Sequence, residues 1–166
     1  MNLDALVKVH PLPPQVLALY EEVRALSGKD IDFREVRNLG LAAKTKMARQ
    51  RMAQHILFYD PQHSDRLNHL LAHEFAHILR MLALSPAERL VPVSQNVHIR
   101  IAAERLSPEM GFLSITLRPK MLTMWVTGLV MQLTNLPVDV RVEQWLAREY
   151  PGLKQEQAKG LKDEVN

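Results

Sequence analysis

The chain has 166 residues, of which 47% are hydrophobic, with a formal net charge of +3 and no cysteine. This length suits a single domain, expected over residues 1–166 with a polar tail from about residue 153. The lack of cysteine excludes a disulfide framework and a thiolate metal site. Together with an N-terminus, Met1-Asn2-Leu3-Asp4, that lacks a signal-peptide pattern, it predicts a cytoplasmic protein whose metal ligands would be histidine and carboxylate.

A helix followed by strands is predicted for the first part of the chain. The helix begins after Pro13-Pro14, repeats apolar residues on one face, and ends at Ser27-Gly28. Residues 31–36 alternate apolar and polar side chains like a strand. Two more strands are expected within 41–59, the second over 52–59, where Asp60-Pro61 ends it.

Helices are predicted for most of the remainder. The first follows Ser64 or Asp65 as N-cap and ends near Ser85-Pro86. A helical stretch over 97–106 and a short apolar run over 112–117 come next, and then helices over 121–136 and 138–150, separated by Pro137. The uncharged stretch 121–138 is too short and polar to span a membrane and predicts a buried helix. The element order predicts an α+β fold with a small antiparallel or mixed sheet and a helical C-terminal part.

The first of these later helices contains His73-Glu74-x-x-His77 between uncharged flanks. Residues at i and i+4 share a helix face, so both imidazoles can reach one Zn²⁺ while Glu74 lies beside the open position as a base. Two metal ligands and a base in this arrangement are typical of metal-assisted hydrolysis. The alternative is a helix whose histidines are hydrogen-bonded core or boundary residues.

A catalytic zinc needs a third protein ligand. Positions 80 and 83 hold Arg80 and Ala83, which excludes the extended motif that ends in a third histidine. Glu143, on a later predicted helix, is the favoured third ligand, and Glu104 is the alternative. Asp139 precedes Glu143 by one helical turn, where it could hydrogen-bond a ligating group.

His69 extends the two motif histidines into an i, i+4, i+8 stripe. Three ligands on one straight helix span about 12 Å and cannot converge on one ion with bonds of about 2 Å. His69 is therefore expected to be a neighbour of the site or a surface residue.

Basic residues are bunched at Lys44, Lys46, Arg49 and Arg51. Such a run is usually a solvated strand or turn face. Nucleic-acid binding through it is a minor alternative, because no aromatic residue interleaves it.

The motif, its uncharged flanks, the strands before it and the glutamate-bearing helix after it resemble the zincin metallopeptidases, and among them the glutamate-liganded gluzincins in a compact form. The resemblance implies Zn²⁺ on His73, His77 and a third acidic ligand, with Glu74 as general base and a peptide or protein as substrate. It also implies that the strand over 52–59 holds an extended peptide by strand addition.

This chain departs from the gluzincin pattern in one respect: Asp139-x-x-x-Glu143 is the reverse of the order E-x-x-x-D. The main alternative function is a zincin-like domain that no longer cleaves and instead binds a partner or regulates. The candidate side chains for stabilising an oxyanion are those of Tyr59, Tyr150, Arg141 and His98.

Overall fold

The fold is α+β, as expected, and contains helices with a small mixed sheet. The computed structural model describes residues 1–85, 101, 104–105, 108, 111, 114 and 116–165. It divides into two compact units, one formed by Met1–Ser85 with Val142–Asn166 and the other by Pro86–Arg141.

The described helices are α1 (Leu3–Val9), α2 (Pro14–Ser27), α3 (Leu67–Ala83), α4 (Arg118–Glu149) and α5 (Lys154–Val165). The predicted first helix is confirmed as α2, and Gly28 ends it with a left-handed φ of 64°. The sequence pattern did not predict α1. Short 3₁₀ segments at Pro61–Arg66 and Pro151–Leu153 precede α3 and α5.

The sheet has three strands, β1 (Asp30–Glu35), β2 (Ala43–Lys46) and β3 (Gln54–Tyr59), in the order β1-β3-β2. β3 runs parallel to β1 and antiparallel to β2, with Phe33 opposite Leu57 and Ala43 opposite Tyr59. β3 is therefore the central strand. The expectation that the strand over 52–59 binds a peptide by strand addition is wrong, because both of its edges are already paired.

The core of the first unit lies where α3 packs against α2 and the sheet. Phe75 of the motif helix is fully buried, and its ring centre lies 6.1 Å from that of Tyr20 and 6.3 Å from that of Phe33. Leu71 and Ile78, on the same helix face, are also fully buried. One face of α3 is thus held by apolar packing, and the histidine stripe lies on another.

Helix α4 differs from the expectation in two ways. It continues through Pro137, where two helices were predicted, although a proline removes one backbone hydrogen bond. Its uncharged part is also not uniformly buried. Leu122 and Val126 are buried, but several large apolar side chains are exposed: Met124, Trp125, Leu129, Leu133 and Leu136. None of the described helices is both long and apolar enough to cross a membrane.

The segment after Leu153, expected to be a polar tail, is helix α5, and its Gln157 is buried. Neither Ser64 nor Asp65 caps α3, which begins at Leu67 directly after the 3₁₀ segment and has no side-chain cap. The elements predicted over 97–106 and 112–117 fall mostly outside the described residues.

Candidate metal centre

The histidine stripe of α3 is unevenly spaced. The ring centres of His69 and His73 lie 6.2 Å apart, whereas those of His73 and His77 lie only 4.6 Å apart. His69 is buried, and the two motif histidines are half-buried. The two histidines of the motif therefore form a closer pair, distinct from His69.

The Nε2 atoms of His73 and His77 lie 2.9 Å apart. Two nitrogens bonded to one tetrahedral zinc at about 2.0–2.1 Å are separated by about 3.3 Å, so a small opening of the rings would accommodate the ion. An i, i+4 pair on a helix produces this convergence, as the motif predicted. The donor set, two imidazoles with carboxylates nearby and no thiolate, fits zinc.

Glu143 of α4 lies at this centre, as the sequence predicted, but on the opposite side of the His73 ring. Its Oε1 lies 2.6 Å from Nδ1 of His73, and its Oε2 lies 2.9 Å from Nε2 of His69. His69, His73 and Glu143 have ligand atoms within 4.8 Å of one another and could themselves hold a metal. The arrangement brings Glu143 to the motif and leaves its role as ligand a prediction.

The carboxylate of Glu143 is charged in this setting. Burial raises its pKa, but the hydrogen bonds from His69 and His73 outweigh burial and hold the pKa well below its ordinary value. A carboxylate that stays ionised favours hydrogen-bond donors on both neighbouring rings.

Helix α5 holds these groups in place. Gln157 donates from its amide to the main-chain oxygen of Glu143, at 2.8 Å, and to Oε2 of the same residue. Glu156 accepts from the Asn68 side chain at 2.8 Å and from the main-chain N–H of His69 at 3.0 Å. The segment expected to be a tail thus supports both α3 and Glu143.

Glu74, the expected general base, is buried at 9% exposure. It lies on α3 between the two motif histidines in sequence, three residues before His77, so the two are neighbours on the helix surface. The role of Glu74 as general base stays a prediction.

The other candidate residues have different environments. Tyr59 is buried, and burial together with the nearby Glu35 raises its pKa. Tyr150 packs its ring against Trp145, with ring centres 5.1 Å apart, and burial also raises its pKa. Arg141 and Glu104 are exposed residues of the second unit, and His98 lies outside the described residues.

A cleft of about 630 Å³ lies at the start of α3, where the 3₁₀ segment meets the loop before β2. Arg66, His63 and Asp60 line it, and none of His73, His77 or Glu143 does. It is a feature separate from the histidine pair.

The basic residues Lys44 and Lys46 are exposed on β2, and Arg49 and Arg51 are exposed in the turn that follows. Lys44 lies over the ring of Phe58 at 5.4 Å. The cluster is the solvated face that its sequence indicated.

The contacts of two residues at the centre, His69 and Gln157, were not predicted from the sequence. His69 was visible in the stripe, but its partner is 74 residues away in sequence. Gln157 carried no signal, because it stands in a polar segment without a motif.

No protein-family model, curated protein or solved structure matches this chain. Its function is therefore inferred from the geometry of the centre.

Proposed function

We propose that this protein is a zinc-dependent metallopeptidase, similar to the gluzincins, that hydrolyses peptide bonds. The observation that carries the proposal is the 2.9 Å approach of the Nε2 atoms of His73 and His77, beside a buried glutamate on the same helix. Two imidazole nitrogens come this close when one donates its proton to the other or when both bind one cation, and the zinc proposal takes the second arrangement.

Zinc, when bound, would lower the pKa of a coordinated water toward about 7 and polarise a substrate carbonyl. His73 and His77 would hold the metal through Nε2, and a carboxylate of α4 would be the third protein ligand. Glu74 would accept a proton from the attacking water and deliver it to the nitrogen of the leaving amine. The buried position of Glu74 keeps this proton away from bulk solvent.

An extended substrate would pair with β2 and not with the central β3. Within the described part of the chain, β2 pairs only with β3, so its other edge is open for strand addition. β2 also contacts α3, the helix that carries the motif. The outer edge of β1 is partly occupied, because Phe33 and Met1 exchange backbone hydrogen bonds at 2.9 and 2.6 Å.

The experiment is cleavage of a peptide library by the purified protein, with and without a chelator. We expect cleavage that a chelator abolishes and zinc restores. Glu74→Gln should bind zinc nearly as well as the wild type and lose at least about 100-fold in turnover, which is the contribution of a general base. The matched control, Glu22→Gln, changes an exposed glutamate of α2 and should cleave like the wild type.

Full activity of Glu74→Gln would refute the role of Glu74. A wild-type protein that binds one equivalent of zinc but cleaves no peptide would instead indicate the zincin-like binding or regulatory domain.

A further inference from the structure

The carboxylate of Glu143 is held on both oxygens by side chains of the protein itself. Oε1 accepts from His73 at 2.6 Å and lies 3.1 Å from Nε2 of His69, while Oε2 lies 2.9 Å from the same His69 nitrogen and also accepts from Gln157. Three side-chain nitrogens make these four contacts, because Nε2 of His69 lies near both oxygens. Both oxygens of the carboxylate are therefore engaged by the protein.

The direction of these contacts is as informative as their number. Glu143 meets His73 at Nδ1, while the approach to His77 is made by Nε2, on the other side of the same ring. A proton on Nδ1, donated to the carboxylate, leaves the lone pair of His73 on Nε2, which is the form that binds zinc.

We propose that Glu143 is a positioning residue of the zinc site and not its third ligand. This inference rests on the proposed function. Glu143 selects the tautomer of His73 and aligns its ring, and His69 and Gln157 hold Glu143 in turn. The ring of His69 makes no other hydrogen bond among the described residues, since its Nδ1 is buried without a partner.

The test compares zinc affinities, measured by competition with a chromophoric chelator. Glu143→Ala should weaken zinc binding about 10- to 100-fold, the usual effect of removing a partner of a ligating histidine. His77→Ala, which removes a proposed ligand, should lose more. Glu149→Ala, an exposed residue of the same helix, is the matched control and should bind like the wild type. A loss in Glu143→Ala that equals or exceeds that in His77→Ala would overturn the proposal.

A second readout needs no metal. In the metal-free wild type, ¹⁵N chemical shifts of the imidazole of His73 should report a proton on Nδ1, and Glu143→Ala should shift that ring toward the Nε2-protonated form. Glu143→Gln, which keeps the size and one acceptor oxygen, should preserve the Nδ1 proton if the alanine variant unfolds. A His73 ring protonated on Nε2 in the wild type would refute the positioning role.

The two failures are distinguishable. If the wild type binds no zinc, the proposed function fails whatever the tautomer of His73. If it binds zinc and Glu143→Ala loses as much zinc affinity as His77→Ala, Glu143 is a ligand and the proposed function stands.

Discussion

The two faces of α3 differ in what they contribute to the protein. On one face, Leu71, Phe75 and Ile78 are fully buried, and α3 packs against α2 and the sheet. On the other, His69 and His73 meet Glu143, and His73 meets His77. The apolar face stabilises the fold, and the packing that it provides fixes the backbone on which the histidine pair converges. Substitutions on the two faces should therefore have separable effects.

The largest effect on stability is expected on the apolar face. Phe75→Ala removes a fully buried ring from the cluster with Tyr20 and Phe33, and should lower the free energy of unfolding by about 3–5 kcal/mol. Urea denaturation followed by circular dichroism measures this change. Leu26→Ala, at an exposed apolar position of α2, is the control and should change stability by less than about 0.5 kcal/mol. Equal losses in both variants would contradict the assignment of the core.

A somewhat smaller effect is expected from zinc on the histidine face. Free zinc at 100 times its dissociation constant should stabilise the wild type by about 2.7 kcal/mol, because the ion binds the folded chain. The midpoint of thermal unfolding should rise accordingly, and the rise should be absent in His77→Ala. If His77→Ala were stabilised as much as the wild type, the zinc would be bound elsewhere.

Sequence patterns predicted the elements whose signal is local. The helix α2, the strand β1 and the motif helix α3 follow from patterns within 6 to 17 residues. Local patterns could not show that β3 would be central, because strand order depends on pairing between distant segments. Local patterns also predicted that the helix would break at Pro137, but α4 continues through it. A proline in the sequence indicates the loss of one backbone hydrogen bond, but it does not show whether the helix continues beyond that point.

The candidate centre was also predictable only where its signal is local. His73, Glu74 and His77 share one helical turn and carry their own signal, and Glu143 was located by the chemistry that a zinc site requires. Its contact with Nδ1 of His73 and its support by Gln157 join segments that are 70 and 14 residues apart. Composition alone likewise suggested burial for the uncharged part of α4, where Trp125 and Leu133 are exposed.

The smallest effect is expected at the edge of the apolar cluster, where the Tyr20 hydroxyl donates to Asp30. Burial raises the pKa of Asp30. Hydrogen bonds from Tyr20 and from the backbone of Ile31 lower that pKa by more than burial raises it, so the net shift is downward. A carboxyl whose pKa is lower in the folded chain stabilises fully above its unfolded pKa of about 4 and loses that contribution as pH falls below it.

Tyr20→Phe should therefore cost about 1 kcal/mol near pH 7 and make stability less sensitive to acid between about pH 5 and pH 3. Denaturation midpoints across this range provide the measurement, with Leu26→Ala again as the control. An unchanged acid dependence in Tyr20→Phe would show that the hydrogen bond to Asp30 does not set its pKa.

The most direct test of the central claim is the zinc content of the purified protein, measured by elemental analysis in the wild type and in His73→Ala and His77→Ala variants whose folding is verified by circular dichroism. We predict one equivalent of zinc per chain in the wild type and none in either variant, because the two Nε2 atoms are the core of the site. A wild type without zinc, or folded variants that retain a full equivalent, would contradict this account.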